Sequence, residues 1–357
     1  MRIMVDIGHP AHVHFFKNFI WEMEKRGHEF IVTARDKDVA LRLLKAYGIE
    51  YTTVGRVGKG KLGLIREWIG RDREIYSIAR TFRPDILTGI HNPCVAHVAR
   101  LIGAKSIIFT DTEHATIANL VTFPFSSVIC TPSCFKRDLG KKQVCYNGYH
   151  ELAYLHPIYY KPDPSVLHGL GIKETDKYIV IRFVAWGASH DIGQYGLVDP
   201  RGIISELEPY GRVLTSSEVK LDTSLDNYCI TLPPEKLHDL LYYATLCITE
   251  GATIASECAV LGTPAIYVNN LRLGYLDEQE ERYGLVYNFS NPEVAQKQAV
   301  GKALELLQRN DLKEEWQLKR ERLLKDKADV TQFISDFIEN YPESCNQIRK
   351  NQSLQNN

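Results

Sequence analysis

The sequence lacks an excess of charge of either sign. Its 43 lysines and arginines nearly balance its 44 aspartates and glutamates, which gives a formal net charge of -1. Proteins that bind nucleic acid generally carry a strong basic excess. This balance therefore argues against a general nucleic-acid binder.

The sequence also lacks a long apolar run. No stretch approaches the roughly 18 apolar residues that a membrane-spanning helix needs. Residues 1–6 lead directly into a predicted strand, so we expect no signal peptide. We expect a cytoplasmic protein, and leave open a peripheral contact with the inner face of the membrane.

Paired cysteine spacing is absent as well. The eight cysteines are scattered, mostly within apolar segments, which favours buried free thiols in a reducing compartment. Cys130, Cys134 and Cys145 could be considered as metal ligands, but their spacing matches no zinc pattern. We therefore expect no bound metal.

What the chain does have is the length and pattern of two α/β domains. Its 357 residues exceed one core of usual size, and apolar β-branched runs alternate with amphipathic segments, as in parallel sheets covered by helices. The predicted strands are 2–7, 29–34, 85–90, 105–110, 127–131, 178–183, 212–215, 246–249, 265–268 and 285–287. We predict a domain over 1–155, a turn-rich linker over 156–177, a domain over 178–341 with terminal helices, and a disordered tail over 342–357.

Two doubly wound domains of this kind bind ligands in the cleft between the carboxyl ends of their strands. The most informative loop of this type runs from Glu250 to Ala265. Gly251, Ala252 and Thr253 open a helix, whose free N–H groups and partial positive charge favour a diphosphate. Glu257, one turn further on, can accept hydrogen bonds from the vicinal hydroxyls of a ribose. This pattern predicts a nucleotide-sugar site; an ordinary strand–helix–strand unit with a solvated glutamate is the alternative.

Histidines crowd the loop after the first strand, Gly8-His9-Pro10-Ala11-His12-Val13-His14. Histidine transfers protons near neutral pH, and His12 is the leading candidate because it lies where a helix begins. The alternative is that these side chains cap the helix or bond to the loop.

Carboxylates follow a later strand, in Asp111-Thr112-Glu113-His114. Asp111 and Glu113 are candidates for a general base or for holding substrate hydroxyls, with helix capping as the competing interpretation. His91-Asn92, after the preceding strand, belongs to the same candidate stretch, and Asn119 is a weaker extra candidate.

The loop that opens the second half contains Arg182, Ser189 and His190, which we expect near a diphosphate. The planar guanidinium group of arginine can donate two parallel bonds to phosphate. A buried ion pair with Asp191, with Trp186 in the core, is the alternative.

The segment Gly251-Ala252-x-x-x-Ser256-Glu257, followed by Gly262-Thr263-Pro264-Ala265, resembles the donor-binding segment of GT-B enzymes. The similarity is closest to the N-acetylglucosaminyltransferase of peptidoglycan synthesis. It implies that Glu257 holds the uridine ribose, that His12 is a functional histidine, and that 111–113 is the acidic loop of that family. The amino-terminal loop lacks the glycine pairs of this transferase, which argues against the peptidoglycan precursor as acceptor.

Non-hydrolysing UDP-N-acetylglucosamine 2-epimerases share this fold, and their catalytic His-x-Glu falls on 111–113. The sequence departs from their pattern at two places: 186–191 replaces a His-Arg-Glu-Asn loop, and Asn92 stands where an aspartate is expected. Gly8 to His12 together with Asp111 to Ala115 is most similar to an uncharacterised, largely archaeal prokaryotic family of the same superfamily, over nearly the whole chain to Tyr341.

The resemblance implies a GT-B fold of two Rossmann-like domains that face a central cleft, the first of them on the acceptor side. We expect a glycosyltransferase that moves a sugar from a nucleotide diphosphate, with UDP as the expected nucleotide, to a surface-glycan or glycolipid acceptor. No further cofactor is expected. A nucleotide-sugar 2-epimerase and a non-catalytic sugar-nucleotide-binding protein are the alternatives, and the oligomeric state stays open. The expected catalytic residues are His12, Asp111 and Glu113, and the expected nucleotide-binding residues are Arg182, Ser189, His190, Gly251, Ala252, Thr253, Ser256 and Glu257.

Overall fold

The computed structural model describes residues 1–55, 60–184, 196–217 and 222–355. Its strands are β1 (Arg2–Ile7), β2 (Glu29–Arg35), β3 (Thr52–Val54), β4 (Ile86–Ile90), β5 (Lys105–Phe109), β6 (Val128–Pro132), β7 (Gln143–Tyr146), β8 (Tyr178–Phe183), β9 (Arg212–Ser217), β10 (Leu246–Thr249), β11 (Ala265–Val268) and β12 (Val286–Phe289). Its α-helices are α1 (Pro10–Lys25), α2 (Asp38–Ala46), α3 (Gly60–Phe82), α4 (Pro93–Ile102), α5 (Thr116–Thr122), α6 (Leu152–Leu155), α7 (Ser165–Gly169), α8 (Pro200–Leu207), α9 (Leu237–Tyr243), α10 (Ala252–Leu261), α11 (Gly274–Glu281), α12 (Ala295–Leu307), α13 (Leu312–Asp326), α14 (Val330–Glu339) and α15 (Glu343–Gln355).

The chain forms two compact units, and the first comprises Met1–Tyr154 and Ala328–Asn357. Its described strands form a parallel sheet in the order β3-β2-β1-β4-β5-β6-β7. The central strands are apolar and buried on both faces, as parallel sheets covered by helices require. This strand order is that of a doubly wound α/β fold, which collects the loops after β1, β4 and β5 at one edge of the sheet.

The second unit comprises Leu155–Lys327. Its described strands form a parallel sheet in the order β12-β11-β10-β8-β9. Helix α10 packs against β10, β11, α9, α11 and α13, and its residues from Ala255 to Leu261 are buried. The start of α10 therefore lies at the carboxyl edge of this sheet while the rest of the helix is enclosed in the unit.

The predicted α/β class and parallel sheets are confirmed, and β1, β8, β10 and β11 have the predicted bounds. Two strands were not predicted, β3 and β7. Both lie at sheet edges and are only partly apolar: Thr52 and Thr53 are exposed, and Gln143 and Cys145 are half-buried. An edge strand of three or four residues leaves little hydrophobic periodicity to detect.

The end of the chain differs from the prediction. Instead of a disordered tail, residues from Glu343 to Gln355 form α15, where Cys345 is buried and the Gln352 amide donates to the Cys145 carbonyl at 3.2 Å. The preceding helix α14 packs on α1, and the Thr331 hydroxyl donates to the Ala153 carbonyl at 2.7 Å. Both terminal helices thus belong to the first unit, although they follow the second in sequence. The polar composition of α15 hides its docking, whereas α14 buries an apolar face that includes Ile334, Phe337 and Ile338.

A buried ion pair connects α3 to the first sheet. Asp6 at the end of β1 is fully buried, and its carboxylate accepts hydrogen bonds from Arg71 at 2.5 Å, from the Thr33 hydroxyl at 2.6 Å, and from the Asn92 amide. Breaking a buried pair from one side leaves an uncompensated charge, which is strongly unfavourable. Asp6 therefore holds β2, α3 and the start of α4 together.

We expect the substitution Arg71→Ala to lower the free energy of unfolding by about 3–5 kcal/mol, because it leaves the Asp6 carboxylate buried without its cation. Urea unfolding followed by circular dichroism measures the change. Arg73→Ala, at an exposed position on the same helix, is the matched control and should stay within about 0.5 kcal/mol of wild type. Equal stability of the two variants would contradict this role of Asp6.

Candidate functional site

The loop after β1 is organised by its histidines. His9 is the N-cap of α1, where its Nδ1 accepts a hydrogen bond from the Ala11 amide at 3.2 Å, and Pro10 occupies the first helical position. His14 is buried, stacks on Tyr154 and bonds to the Tyr47 hydroxyl at 3.3 Å. The capping and packing interpretation thus describes His9 and His14.

His12 has a geometry that limits its chemistry. The Gly8 amide lies 3.3 Å from Nδ1 of His12, and a backbone N–H can only donate, so Nδ1 is the acceptor. In the neutral ring the proton then lies on Nε2, which makes that atom a hydrogen-bond donor. Burial, followed by the nearby His9 and His150, lowers the pKa of His12 well below its ordinary value. His12 is therefore a neutral donor near pH 7.

Asp111 is paired with a histidine that the sequence did not single out. Nδ1 of His150 lies 3.1 Å from the Asp111 carboxylate, which also accepts the Thr112 hydroxyl at 3.0 Å. Burial alone would raise the pKa of Asp111, but the charge and hydrogen bond of His150 and the bond from Thr112 lower it to about 2. Asp111 is thus an ionised carboxylate that orients an imidazole.

The orientation of His150 suits proton transfer. With Nδ1–H donated to a carboxylate, Nε2 carries the lone pair that can accept a proton. Nε2 is buried, and none of the described residues gives it a hydrogen-bond partner. His150 lies in the turn after β7, so recognition of that strand would have placed it among the strand-end candidates.

Glu113 and the residues after β4 contribute to the same edge in different ways. The Glu113 carboxylate accepts the Lys136 amide at 3.2 Å, and its backbone carbonyl accepts from Arg137 at 2.8 Å. His91 has a φ of 50° and bonds to Asn119 and to the Thr110 hydroxyl. Glu113 thus contacts the loop after β6, whereas the Asp111 carboxylate contacts His150.

In the second unit, α10 begins as predicted directly after β10. Gly251 is the N-cap, and its amide donates to the Thr249 hydroxyl at 3.0 Å. Ala252 and Thr253 form the first turn and are half-buried. A helix start at the carboxyl end of a parallel strand presents backbone N–H groups to an anion.

Glu257 follows in the second turn of α10 and is 3% exposed. One of its carboxylate oxygens, Oε1, lies 2.9 Å from Nε2 of His238 on α9. Its neighbour Ser256 is fully buried and accepts a hydrogen bond from the Gln279 amide at 2.8 Å. The Ser256 hydroxyl thus connects α10 with α11, and the Glu257 carboxylate connects α10 with His238 on α9.

Another carboxylate at this edge, Glu250, was given no role by the sequence. It is 2% exposed and accepts the backbone amides of Val184 at 2.9 Å and Leu197 at 2.7 Å. These two residues flank 185–195, which contains the predicted site residues Ser189 and His190 and lies outside the described residues. Glu250 therefore joins β10 to the described residues on both sides of 185–195, the segment that contains two of the predicted diphosphate ligands.

Arg182 lies in β8 next to β10, but its guanidinium is bound on the other side. Nη1 donates to the Ser216 hydroxyl on β9 at 2.6 Å, and β9 and β10 flank β8 on opposite sides. This contact directs Nη1 of Arg182 towards β9.

Two searches of the described residues are negative. Among them, no helix is long and apolar enough to cross a membrane. Within the same ranges, no three histidine, cysteine, aspartate or glutamate side chains form a group that could hold a metal ion. The predicted independence of metal stays a prediction.

Comparison with known proteins gives the family. The model of a family described as a protein of unknown function, DUF354, matches residues 1–341. The chain belongs to this family. It is also 25% identical over 282 residues to the uncharacterized protein MJ0665 of Methanocaldococcus jannaschii, a match that covers 74% of the chain and 81% of that relative.

Comparison with solved structures shows the fold of this chain. The UDP-GlcNAc 2-epimerase of Neisseria meningitidis bound to UDP-GlcNAc has a TM-score of 0.67 at 11% identity, over 95% of the chain and 99% of that structure. The glycosyltransferase SsfS6 of Streptomyces sp. SF2575, complexed with thymidine diphosphate, has a TM-score of 0.63 at 11% identity, over 94% and 99%. The predicted GT-B fold and the predicted family are thereby confirmed.

The Asp111–His150 pair predicts a pH dependence of stability. A carboxyl whose pKa is about 2 in the folded protein and about 3.9 when unfolded stabilises the fold above pH 4, and this contribution is lost as the pH falls through 2. We expect Asp111→Asn to lower the free energy of unfolding by about 2 kcal/mol at pH 6, and the difference from wild type to shrink towards pH 2. Urea titrations between pH 6 and 2 measure it.

The control for this titration is Asp36→Asn, which neutralises an exposed aspartate in the same unit. Its difference from wild type should be small and independent of pH. A constant difference between wild type and Asp111→Asn over the whole range would show that the Asp111 carboxylate is not held as an ion.

Proposed function

We propose that the protein binds a nucleotide-diphosphate sugar and transfers the sugar to a hydroxyl of a surface-glycan or glycolipid acceptor. The observation that carries this proposal is the start of α10 at the carboxyl end of β10, with a buried carboxylate in its second turn. Glu257 follows Ala252 by five residues, a rise of about 7–8 Å along the helix axis. A ribose diphosphate has an anion at one end and a vicinal diol at the other. The anion would bind the helix start, and the diol would bind Glu257.

The nucleotide is assigned to the second unit. The amides of Gly251, Ala252 and Thr253 bind the diphosphate, with Arg182, Ser189 and His190 as further predicted ligands. Helix ends and arginine can neutralise the negative charge that develops on the leaving diphosphate, so the proposal needs no metal. UDP is the expected nucleotide.

The acceptor hydroxyl is assigned to the first unit. We propose that His150, oriented by ionised Asp111, takes the proton of this hydroxyl as it attacks the sugar, and that the Nε2–H of His12 donates a hydrogen bond to the acceptor. Glu113 stays a candidate for binding acceptor hydroxyls. The Asp–His pair supports this division, because the carboxylate of Asp111 holds Nδ1 of His150 and leaves Nε2 as the atom that can accept a proton.

A nucleotide-sugar 2-epimerase is the second candidate function. It is supported by the TM-score of 0.67 with an epimerase and by the position of Asp111 and Glu113 after β5. It would interconvert free nucleotide sugars without an acceptor and exchange a sugar-ring proton with solvent. A non-catalytic protein that binds sugar nucleotides would do neither.

The proposed nucleotide site can be tested at Glu257. We expect Glu257→Gln to weaken the binding of UDP and UDP-sugars about ten- to hundredfold, because hydrogen bonds from the ribose hydroxyls to a charged acceptor are lost. Titration calorimetry measures the affinity, with GDP and its sugars as a second series. Glu281→Gln, at an exposed position in the same unit, carries the same charge change and should bind as wild type. Unchanged UDP affinity in Glu257→Gln removes this residue from the site.

The second prediction concerns the proton acceptor. We expect His150→Asn and Asp111→Asn to lower the rate of UDP release from UDP-sugar, in the presence of a cell-envelope glycolipid extract, by about 10²- to 10⁴-fold, the usual contribution of a general base. The affinity for UDP should change less than about twofold, because the second unit binds the nucleotide. Asp36→Asn is the control.

The same assay in deuterated water separates the candidate reactions. Sugar transfer leaves the ring protons in place and consumes the acceptor, whereas epimerisation incorporates deuterium without acceptor. Full activity of both His150→Asn and Asp111→Asn would exclude this pair from the chemistry.

A further inference from the structure

The pair formed by His238 and Glu257 is a distinct feature of the second unit. Nε2 of His238 lies 2.9 Å from Oε1 of Glu257, and each side chain is 4% exposed. The two residues lie on different helices, α9 and α10. Nothing in the proposed chemistry requires a histidine here, so the pair needs its own explanation.

Several contacts fix the position of α9. The Asp239 carboxylate accepts the Tyr160 hydroxyl at 2.8 Å and the Asp163 amide at 3.0 Å. The Tyr160 ring meets the His238 ring edge-on, with centroids 6.3 Å apart. At the other end, the Thr263 hydroxyl donates to the Leu241 carbonyl at 2.8 Å. His238 is therefore presented to α10 from a helix that is held on both sides.

A fixed donor changes what a glutamate can recognise. A glutamate side chain has several rotatable bonds, and ordering such a side chain costs conformational entropy on binding. A hydrogen bond to Oε1 orients the carboxylate before a ligand arrives. The vicinal hydroxyls of a ribose demand such an orientation, because two donors must meet one carboxylate in a defined plane.

We infer that His238 is a positioning residue for ribose recognition, which makes the protein select ribonucleoside diphosphates over their 2′-deoxy counterparts. The inference rests on the proposed role of Glu257 in nucleotide binding. The inference adds His238, which does not touch the nucleotide, and a preference for the ribose 2′-hydroxyl that depends on His238.

The test compares two ligands that differ by one hydroxyl, UDP and 2′-deoxy-UDP, by titration calorimetry. We expect wild type to bind UDP about ten- to hundredfold more tightly than 2′-deoxy-UDP, the worth of a hydrogen bond to a charged group. His238→Asn places its amide too near the backbone to reach Glu257, and the preference should fall below about threefold. His238→Gln can place its amide nitrogen where Nε2 lies, and the preference should be restored.

A merely structural role of His238 has a different outcome. It would lower the melting temperature of His238→Asn while the ratio of the two affinities stays at the wild-type value, and this result overturns the inference. Equal ratios in the Asn and Gln variants overturn it as well. Tight UDP binding by wild type with no preference over 2′-deoxy-UDP overturns the inference but leaves nucleotide binding intact, whereas wild type that binds no nucleotide overturns the proposed function itself.

A measurement on the unmodified protein covers the case in which His238→Asn does not fold. The imidazole NMR signals of His238, assigned through the Gln variant, should shift on addition of UDP and shift less on addition of 2′-deoxy-UDP at equal saturation. Identical shifts with the two ligands count against the inference.

Discussion

The structure depends on matching buried carboxylates with donors at the carboxyl edges of its two sheets. Asp6, Asp111, Glu250 and Glu257 are all buried or nearly so, and each would be costly there without a partner. Their partners are respectively a guanidinium, an imidazole, two backbone amides and a second imidazole. Each pairing fixes an element that the sheet alone does not: α3, the turn after β7, the flanks of 185–195, and α9.

These pairings explain why the sequence predicts the fold better than the site. Apolar strand runs are local signals, so the bounds of β1, β8, β10 and β11 could be predicted. The partner of a buried acid is a long-range property: Asp6 and Arg71 are 65 residues apart, and Glu257 and His238 are 19 apart. The local sequence around Asp6 or Glu257 therefore does not predict which residue pairs with it.

The sequence predicted His12 as the leading candidate for proton transfer, but the geometry favours His150 for this role instead. His12 looked like a base because of its place after a strand, but the Gly8 amide occupies its Nδ1 and makes Nε2 the donor. His150 has the opposite arrangement because Asp111 accepts from its Nδ1. It was missed because β7, the strand before it, is a four-residue edge strand with half-buried polar positions. Which nitrogen of a histidine can accept a proton is decided by one neighbouring donor or acceptor, and only the structure supplies that neighbour.

The same reasoning bears on the choice between transfer and epimerisation. The epimerase pattern expects an aspartate where this chain has Asn92, whose amide nitrogen donates to the buried Asp6 carboxylate and whose oxygen caps α4. An aspartate at this position would place a second carboxylate against Asp6, where it could donate only if protonated, and like charges in a buried site cannot both ionise. The network that anchors α3 through Asp6 and Arg71 is therefore satisfied by an amide at 92 without a change of protonation. The departure from the epimerase pattern at this position thus has a structural reason in the buried core of the first unit.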